Sequence, residues 1–235
     1  MGLFQRIKVK TKAVFRLVKT AFKEFIEGIK EKINKWYARY KFFVEKEQYI
    51  ERNKANNDEY SVPPNDQDLV KECQAYIDKA LPDGLTEALK PLTDERRIEF
   101  MKELINDFAE IMGVKINNVS FFMPSDMEEA SCFGLYISEE QSIALNAMFV
   151  LNLDEPKITE HMTRTILHEL KHARQHMAVE DDSGLGYDQE TLDKWRYNFA
   201  YYIKPEECDE AYRKQPIEQD ANGWSMLFDL HAESI

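Results

Sequence analysis

Apolar residues recur at steps of three and four from Phe15 through Val18, Phe22, Phe25, Ile29, Ile33, Trp36 and Tyr40 to Phe43, with lysines on the remaining sides. That spacing is the period of an α-helix, so the pattern predicts a long amphipathic helix within residues 1–52. Trp36, Tyr37, Tyr40, Phe42 and Phe43 make its far end aromatic. The periodicity then lapses: residues 53–68 are polar and hold Asn56-Asn57-Asp58 and Pro63-Pro64, the composition of a linker. A second region, 69–235, resumes the pattern. A helix is expected over Asp68 to Leu81 and a turn at Pro82-Asp83-Gly84. Another helix is expected over Asp94 to Met112, opened by an acidic pair at the favourable end of its dipole and closed at Gly113. Val114 to Phe122 reads as a strand, and Ser131 to Ile137 with Gln141 to Ala147 as a hairpin across Ser138-Glu139-Glu140. Pro156 to Val179 is the clearest helix of this region, with Ile166, Leu170, Ala173 and Met177 as its core stripe. There is no internal repeat.

A different side of that last helix carries Thr165, His168, His172 and His176. Within it, His168-Glu169-Leu170-Lys171-His172 places two imidazoles four residues apart, able to grip one zinc ion, with a glutamate beside them that can take a proton from a metal-bound water. A catalytic zinc takes three protein ligands and keeps a fourth position for water. His176 lies two turns from His168, about 12 Å along the axis at 1.5 Å per residue, too far to join. A metzincin would place its third histidine at position 178, which is Ala178. Glu218 is the strong candidate, because Pro216 suits the first position of a new helix and would put Glu218 in its first turn.

The run Leu167 to Gln175 followed by Glu218-Gln219-Asp220-Ala221-Asn222 resembles the ImmA/IrrE-type zinc metallopeptidases of bacteria and their phages, on the gluzincin side of the zincins. Gly134-Leu135-Tyr136 and Ile143-Ala144-Leu145-Asn146 look like the short sheet that precedes the motif helix of that family, and the likeness spans roughly Asp94 to His231. The resemblance implies His168, His172 and Glu218 as ligands and Glu169 as general base. Asn222 stands four residues after Glu218, where many gluzincins carry an aspartate that braces a zinc-bound histidine, so Asp220 and Asn222 both remain candidates for that brace. The stretch between His172 and Glu218 is longer than usual for the family, which implies an inserted helix or lid. The resemblance also makes Ile143 to Ala147 the edge strand on which an extended peptide would lie.

Hydrolysis of a peptide also needs a donor to the oxyanion. Tyr212 is the first choice, a half-buried brace for the next helix being the alternative reading of the same residue, and His176 and Tyr187 stand behind it. The carboxylates of Glu180 to Gly186 lack the spacing of a calcium-binding loop and read as solvated.

Charge divides the chain as sharply as periodicity does. The total is −12, yet residues 1–52 hold 14 Lys or Arg against 6 Asp or Glu, net +8, while the other 183 residues hold 17 against 37, net −20. A basic amphipathic helix suits an anionic membrane surface, a helical partner or the acidic body itself; nucleic acid would leave its apolar stripe unexplained. Cys73, Cys132 and Cys208 are widely spaced and odd in number, which suggests a reducing, cytoplasmic compartment, with membrane association at most peripheral. No window is apolar enough to span a membrane, and Arg6 stands where a myristoylation pattern needs Ser or Thr.

The expectation is therefore an α+β, zincin-like metallopeptidase domain, a small mixed sheet plus an active-site helix, preceded by a long amphipathic helix. Its expected activity is zinc-dependent endopeptidase cleavage of a protein or peptide substrate, in one variant of a single repressor-like protein. The alternative is a binding or structural protein, a phage component or membrane-associated adaptor, on the same scaffold.

Overall fold

The computed structural model describes residues 3–56, 60–125, 132–152, 156–180 and 184–230, with side chains from residue 23 onward except 24–26, 29 and 156–160. The chain separates into two compact units, residues 1–52 and 53–235. The first is built on one helix, α1 (Leu3–Lys54). Among the described residues no helix is long and apolar enough to cross a membrane.

The second unit is α+β. Helices α2 (Gln67–Ala80), α3 (Gly84–Leu89) and α4 (Asp94–Ile111) precede strand β1 (Asn118–Phe122). Strands β2 (Gly134–Ile137) and β3 (Ser142–Asn146) follow, then α5 (Ala147–Leu151) and the long α6 (Pro156–Glu180). Helices α7 (Gln189–Ala200), α8 (Asp209–Lys214) and α9 (Pro216–Ser225) complete it. Local chemistry sets several starts: the Thr93 hydroxyl accepts from Arg96 N at α4, Asn146 Oδ1 from Met148 N at α5, and Asp188 Oδ1 from Thr191 N at α7.

The sheet has the order β1-β3-β2. β1 runs parallel to β3, pairing Asn118 with Ser142 and Phe122 with Asn146, while β2 runs antiparallel, pairing Gly134 with Leu145 and Ile137 with Ser142. β3 is thus the central strand, buried at all five positions. This corrects the expectation that Ile143 to Ala147 is a peptide-accepting edge: both sides of β3 are already paired, and residue 147 has left the strand. The hairpin itself is present, and β2 is the strand that runs beside α6. A Cβ at Gly134 would stand 2.7 Å from Leu145 Cδ2 and 3.1 Å from Thr165 Cγ2, so the missing side chain lets β2 approach the helix this closely.

A single core joins α2, α3 and α4 to the sheet and α6, with Ile77, Leu89, Phe108, Ile143, Leu145, Ile166, Leu170 and Trp224 among its buried members. The expected stripe of α6 holds through Ile166, Leu170 and Ala173, but Leu167, Lys171, Arg174, Gln175 and Ala178 are buried as well. For Lys171 and Arg174 the reason is ionic. Segment 53–68, read above as a linker, delivers Asp66 to the far side of α6, where it is fully buried and bonds Lys171 Nζ, Arg174 Nε and the Tyr187 hydroxyl. Six residues earlier, Tyr60 lies where any side chain at Gly223 of α9 would overlap its ring. The polar stretch is therefore strapped across both helices, and Tyr187 is committed to this cluster rather than to the histidines. Between His172 and Glu218 the chain forms α7 and α8, while 181–183 of the acidic loop lie outside the described residues.

Candidate metal centre

His168 and His172 share one side of α6, as their spacing requires, and their Nε2 atoms lie 2.9 Å apart. Glu218 enters from the first turn of α9. Its Oε2 lies 3.3 Å from His168 Nε2 and its Oε1 3.5 Å from His172 Nε2. The three residues could hold a metal ion: a tetrahedral ion bound at about 2.0–2.1 Å separates its ligand atoms by about 3.3 Å, and the observed separations bracket that value. Glu218 Oε2 is buried and accepts no hydrogen bond from any described residue, the condition of an oxygen kept for a cation.

The position of Glu218 is set by a buried amide pair. Gln215 Oε1 accepts from Asn198 Nδ2 at 2.7 Å and from Ile203 N at 3.1 Å, and its Nε2 donates to Ile203 O at 2.9 Å. Asn198 Oδ1 in turn accepts from Ile217 N at 3.1 Å, the residue before Glu218. The end of α7 and the start of α9 are stitched together, with Pro216 opening the helix.

The second nitrogen of His172 is held by Gln175, one turn further on. Gln175 Nε2 faces two acceptors, Ile217 O at 3.0 Å and Asp220 Oδ2 at 2.7 Å, so its Oε1 must be the atom 2.8 Å from His172 Nδ1. Nδ1 then carries a proton, which leaves Nε2, on the Glu218 side, as the nitrogen available to a metal. Of the two brace candidates, Asp220 reaches the histidine through Gln175, and Asn222 lies on the wall of the adjoining cleft. Gln175 was not read as a site residue; its place three residues after His172 on one helix is the signal that could have found it.

Glu169 is buried beside the histidines, and its Oε2 accepts from Tyr136 N of β2 at 2.7 Å. Burial raises its pKa, against the lowering effect of both imidazoles. Glu218 shifts the other way: burial opposes its charge, but His172 and His168 hold it well below the usual carboxylate range. For His172, burial works against protonation, yet the Glu218 carboxylate and then Glu169 lift it to about 9.

Tyr212, the expected oxyanion donor, is partly buried on α8; burial first, then the Glu218 carboxylate, push its phenol up, and Glu169 adds to this. A second tyrosine, unmarked in the sequence, also reaches Glu218: Tyr202 donates its hydroxyl to Glu218 Oε1 at 2.9 Å. It sits on the α7–α8 connection, tied down by the neighbouring Ile203–Gln215 bonds, and no periodicity or motif marks it. His176 is apart from the three candidate ligands, stacked on Phe199 with centroids 3.8 Å apart. Burial lowers its pKa to about 4, helped by His172. The thiols are free; Cys73 is buried, Cys132 and Cys208 partly so.

A cleft of about 320 Å³ opens beside the candidate ligands, lined by His168 and Glu169 together with Phe133, Gly134, His161, Arg164, Thr165, Asn222, Ser225 and Met226. No family model, curated protein or solved structure matches the chain.

Proposed function

We propose that the chain is a zinc-dependent peptidase whose ligands are His168, His172 and Glu218 and whose general base is Glu169. The observation that carries this reading is the convergence of two imidazole nitrogens and one unsatisfied buried carboxylate oxygen, with a second buried carboxylate at the mouth of a cleft. Two nitrogens and one oxygen form a donor set suited to catalytic zinc, which when bound polarises a carbonyl and lowers the pKa of water. Glu169, fixed by the Tyr136 amide and raised by burial, is placed to accept a proton from the attacking water and to return it to the leaving amine. Tyr212 and Tyr202, both beside Glu218 with pKa values pushed up, stay protonated at neutral pH and can donate to a developing oxyanion. The cleft is large enough for part of an extended peptide, within the range of roughly 300–1,000 Å³ usual for ligand sites. Free thiols suit a reducing compartment.

One observation favours the rival reading of a binding protein on the same zincin-like scaffold. The Tyr136 amide of edge strand β2 is already engaged by Glu169, so a peptide adding to that edge has to displace it. The test is a comparison of the zinc-loaded protein with Glu169→Gln against a whole host lysate, reading new N-termini. Cleavage by the parent, lost by about 10²–10⁴-fold in a variant that keeps its zinc, is the expected result. Unchanged cleavage by the variant removes Glu169 from the chemistry, and no cleavage by a zinc-loaded parent supports the binding protein.

A further inference from the structure

We infer that α1 binds the surface of an anionic lipid bilayer, lying along it with the face that carries Ile33, Trp36, Tyr37, Tyr40 and Phe43 turned to the lipid. All five are exposed, Trp36 at 65% and Phe43 at 59%, and Trp36 stacks on Tyr40 with centroids 5.6 Å apart. At about 100° per residue they fall within one arc of roughly 120°. Exposed Phe42 lies off this arc.

The charges around the arc choose the occupant. By the same geometry Lys23, Lys30 and Lys41 flank one border of the apolar face, and Lys32 and Arg39 the other, while Lys35, Glu27, Glu31 and Glu45 stand toward the opposite pole. Two ion pairs tie border to pole, Lys23–Glu27 at 3.7 Å and Lys41–Glu45 at 3.5 Å, and Lys35 pairs with Glu31 within the polar side at 2.6 Å. Over residues 23–45 the cations on both borders, with the acids turned away, suit a bilayer interface, where lysine stems lie against the apolar layer and their ammonium groups reach anionic head groups, while Glu47 and Glu51 on the apolar side end that stretch. Tryptophan and tyrosine favour that same depth. A second copy of α1 would bring cationic borders against cationic borders, and its seam would need a narrower stripe. A nucleic acid would meet the apolar arc at the centre of the cationic face. The basic character extends toward the start of the chain, where residues 1–23 contain seven Lys or Arg and no Asp or Glu.

The protein supplies its own probe. Trp36 is exposed, whereas Trp195 and Trp224 are 2% and 0% exposed, so a change in tryptophan emission on adding lipid reports Trp36. The full chain is mixed with vesicles of phosphatidylcholine alone or with added phosphatidylglycerol, and both emission and flotation are read. The expected result is a blue shift and flotation with the anionic vesicles, weakened at least tenfold by neutral vesicles or 0.5 M salt. Trp36→Phe should lose the shift but still float, and a variant with Trp36, Tyr40 and Phe43 changed to Ser should do neither while keeping the near-ultraviolet dichroism of its buried tryptophans. Failure to float with anionic vesicles overturns the inference, as does a lipid-independent shift that follows protein concentration and a rise in sedimentation coefficient, which marks self-association instead.

Discussion

Lys171 and His172 are neighbours in the chain, yet their side chains enter two buried clusters of opposite make-up. On one side of α6, Lys171 and Arg174 meet Asp66 and Asp220, two cations against two carboxylates, with the Tyr187 hydroxyl completing the set. Lys171 is fully buried, and its ammonium also lies 5.1–5.8 Å from the ring centres of Tyr187, Trp195 and Trp224. Burial alone would drive that amine toward neutrality, but Asp220, Tyr187 and Asp66 outweigh it and keep the charge. On the other side, His168, His172 and Glu218 bring three possible metal-ligand atoms together and leave Glu218 Oε2 without a hydrogen bond from any described residue. The first cluster is complete without any added ion, and the second has a place for one. Buried polarity serves structure in one case and reserves a site in the other, and completeness of the partners separates the two.

That contrast can be broken at either cluster. The largest expected effect is Glu218→Ala, which should lower bound zinc from about one per chain to none by elemental analysis, since a site of three ligands loses its only anionic one. The metal-free variant should also unfold at lower denaturant than the metal-free parent, because the histidines lose the carboxylate that they hold ionised and Tyr202 loses its acceptor. Zinc retained by this variant would remove Glu218 from the ligand set. Next, Asp66→Ala should cost about 3–5 kcal/mol in urea unfolding, since it strands buried Lys171 and Arg174. A loss under about 1 kcal/mol would mean that water or a rearranged Asp220 completes the cluster. Smaller still, Gln175→Ala should weaken zinc binding by about 10–100-fold in chelator competition, because Nδ1 of His172 loses its acceptor. An unaltered affinity would show that Gln175 does not orient the ring. The smallest effect concerns His176. Its folded pKa of about 4 lies below the ordinary 6.5, so the unfolded chain binds the extra proton first and stability falls as pH drops from 6.5 to 4. Replacing His176 by Phe should flatten the melting temperature across that window, and an identical pH dependence in both proteins would exclude this histidine as its source.

The two clusters differ equally in how far they can be read from sequence. His168, Glu169 and His172 are legible because a four-residue step on a helix is itself geometry, and Glu218 because Pro216 marks where its helix begins. Asp66 is not legible: its partners lie more than a hundred residues away, and in composition the segment around it is a linker. Lys171 and Arg174 look like the solvated face of a helix until Asp66 arrives. The central place of β3 was misassigned because a hairpin reading leaves open which strand takes a third partner, although Ser142-Ile143-Ala144-Leu145-Asn146 lacks the alternation of a half-exposed strand. Tyr202 depends on how α7 turns back on α9, a path held by the Asn198–Gln215 pair and by nothing periodic.

Seating both clusters on one helix has a mechanical consequence. Side chains of successive residues leave α6 about 100° apart, so any roll of the helix that eases Lys171 in its cage swings His172 through the same angle. At a lever of about 6 Å from the axis, a roll of about 10° displaces an imidazole nitrogen by about 1 Å, a misplacement large enough to cost about a hundredfold in rate at a reacting centre. Asp66 then acts as a set-screw, fixing the angular setting of the helix from the side away from the candidate metal centre.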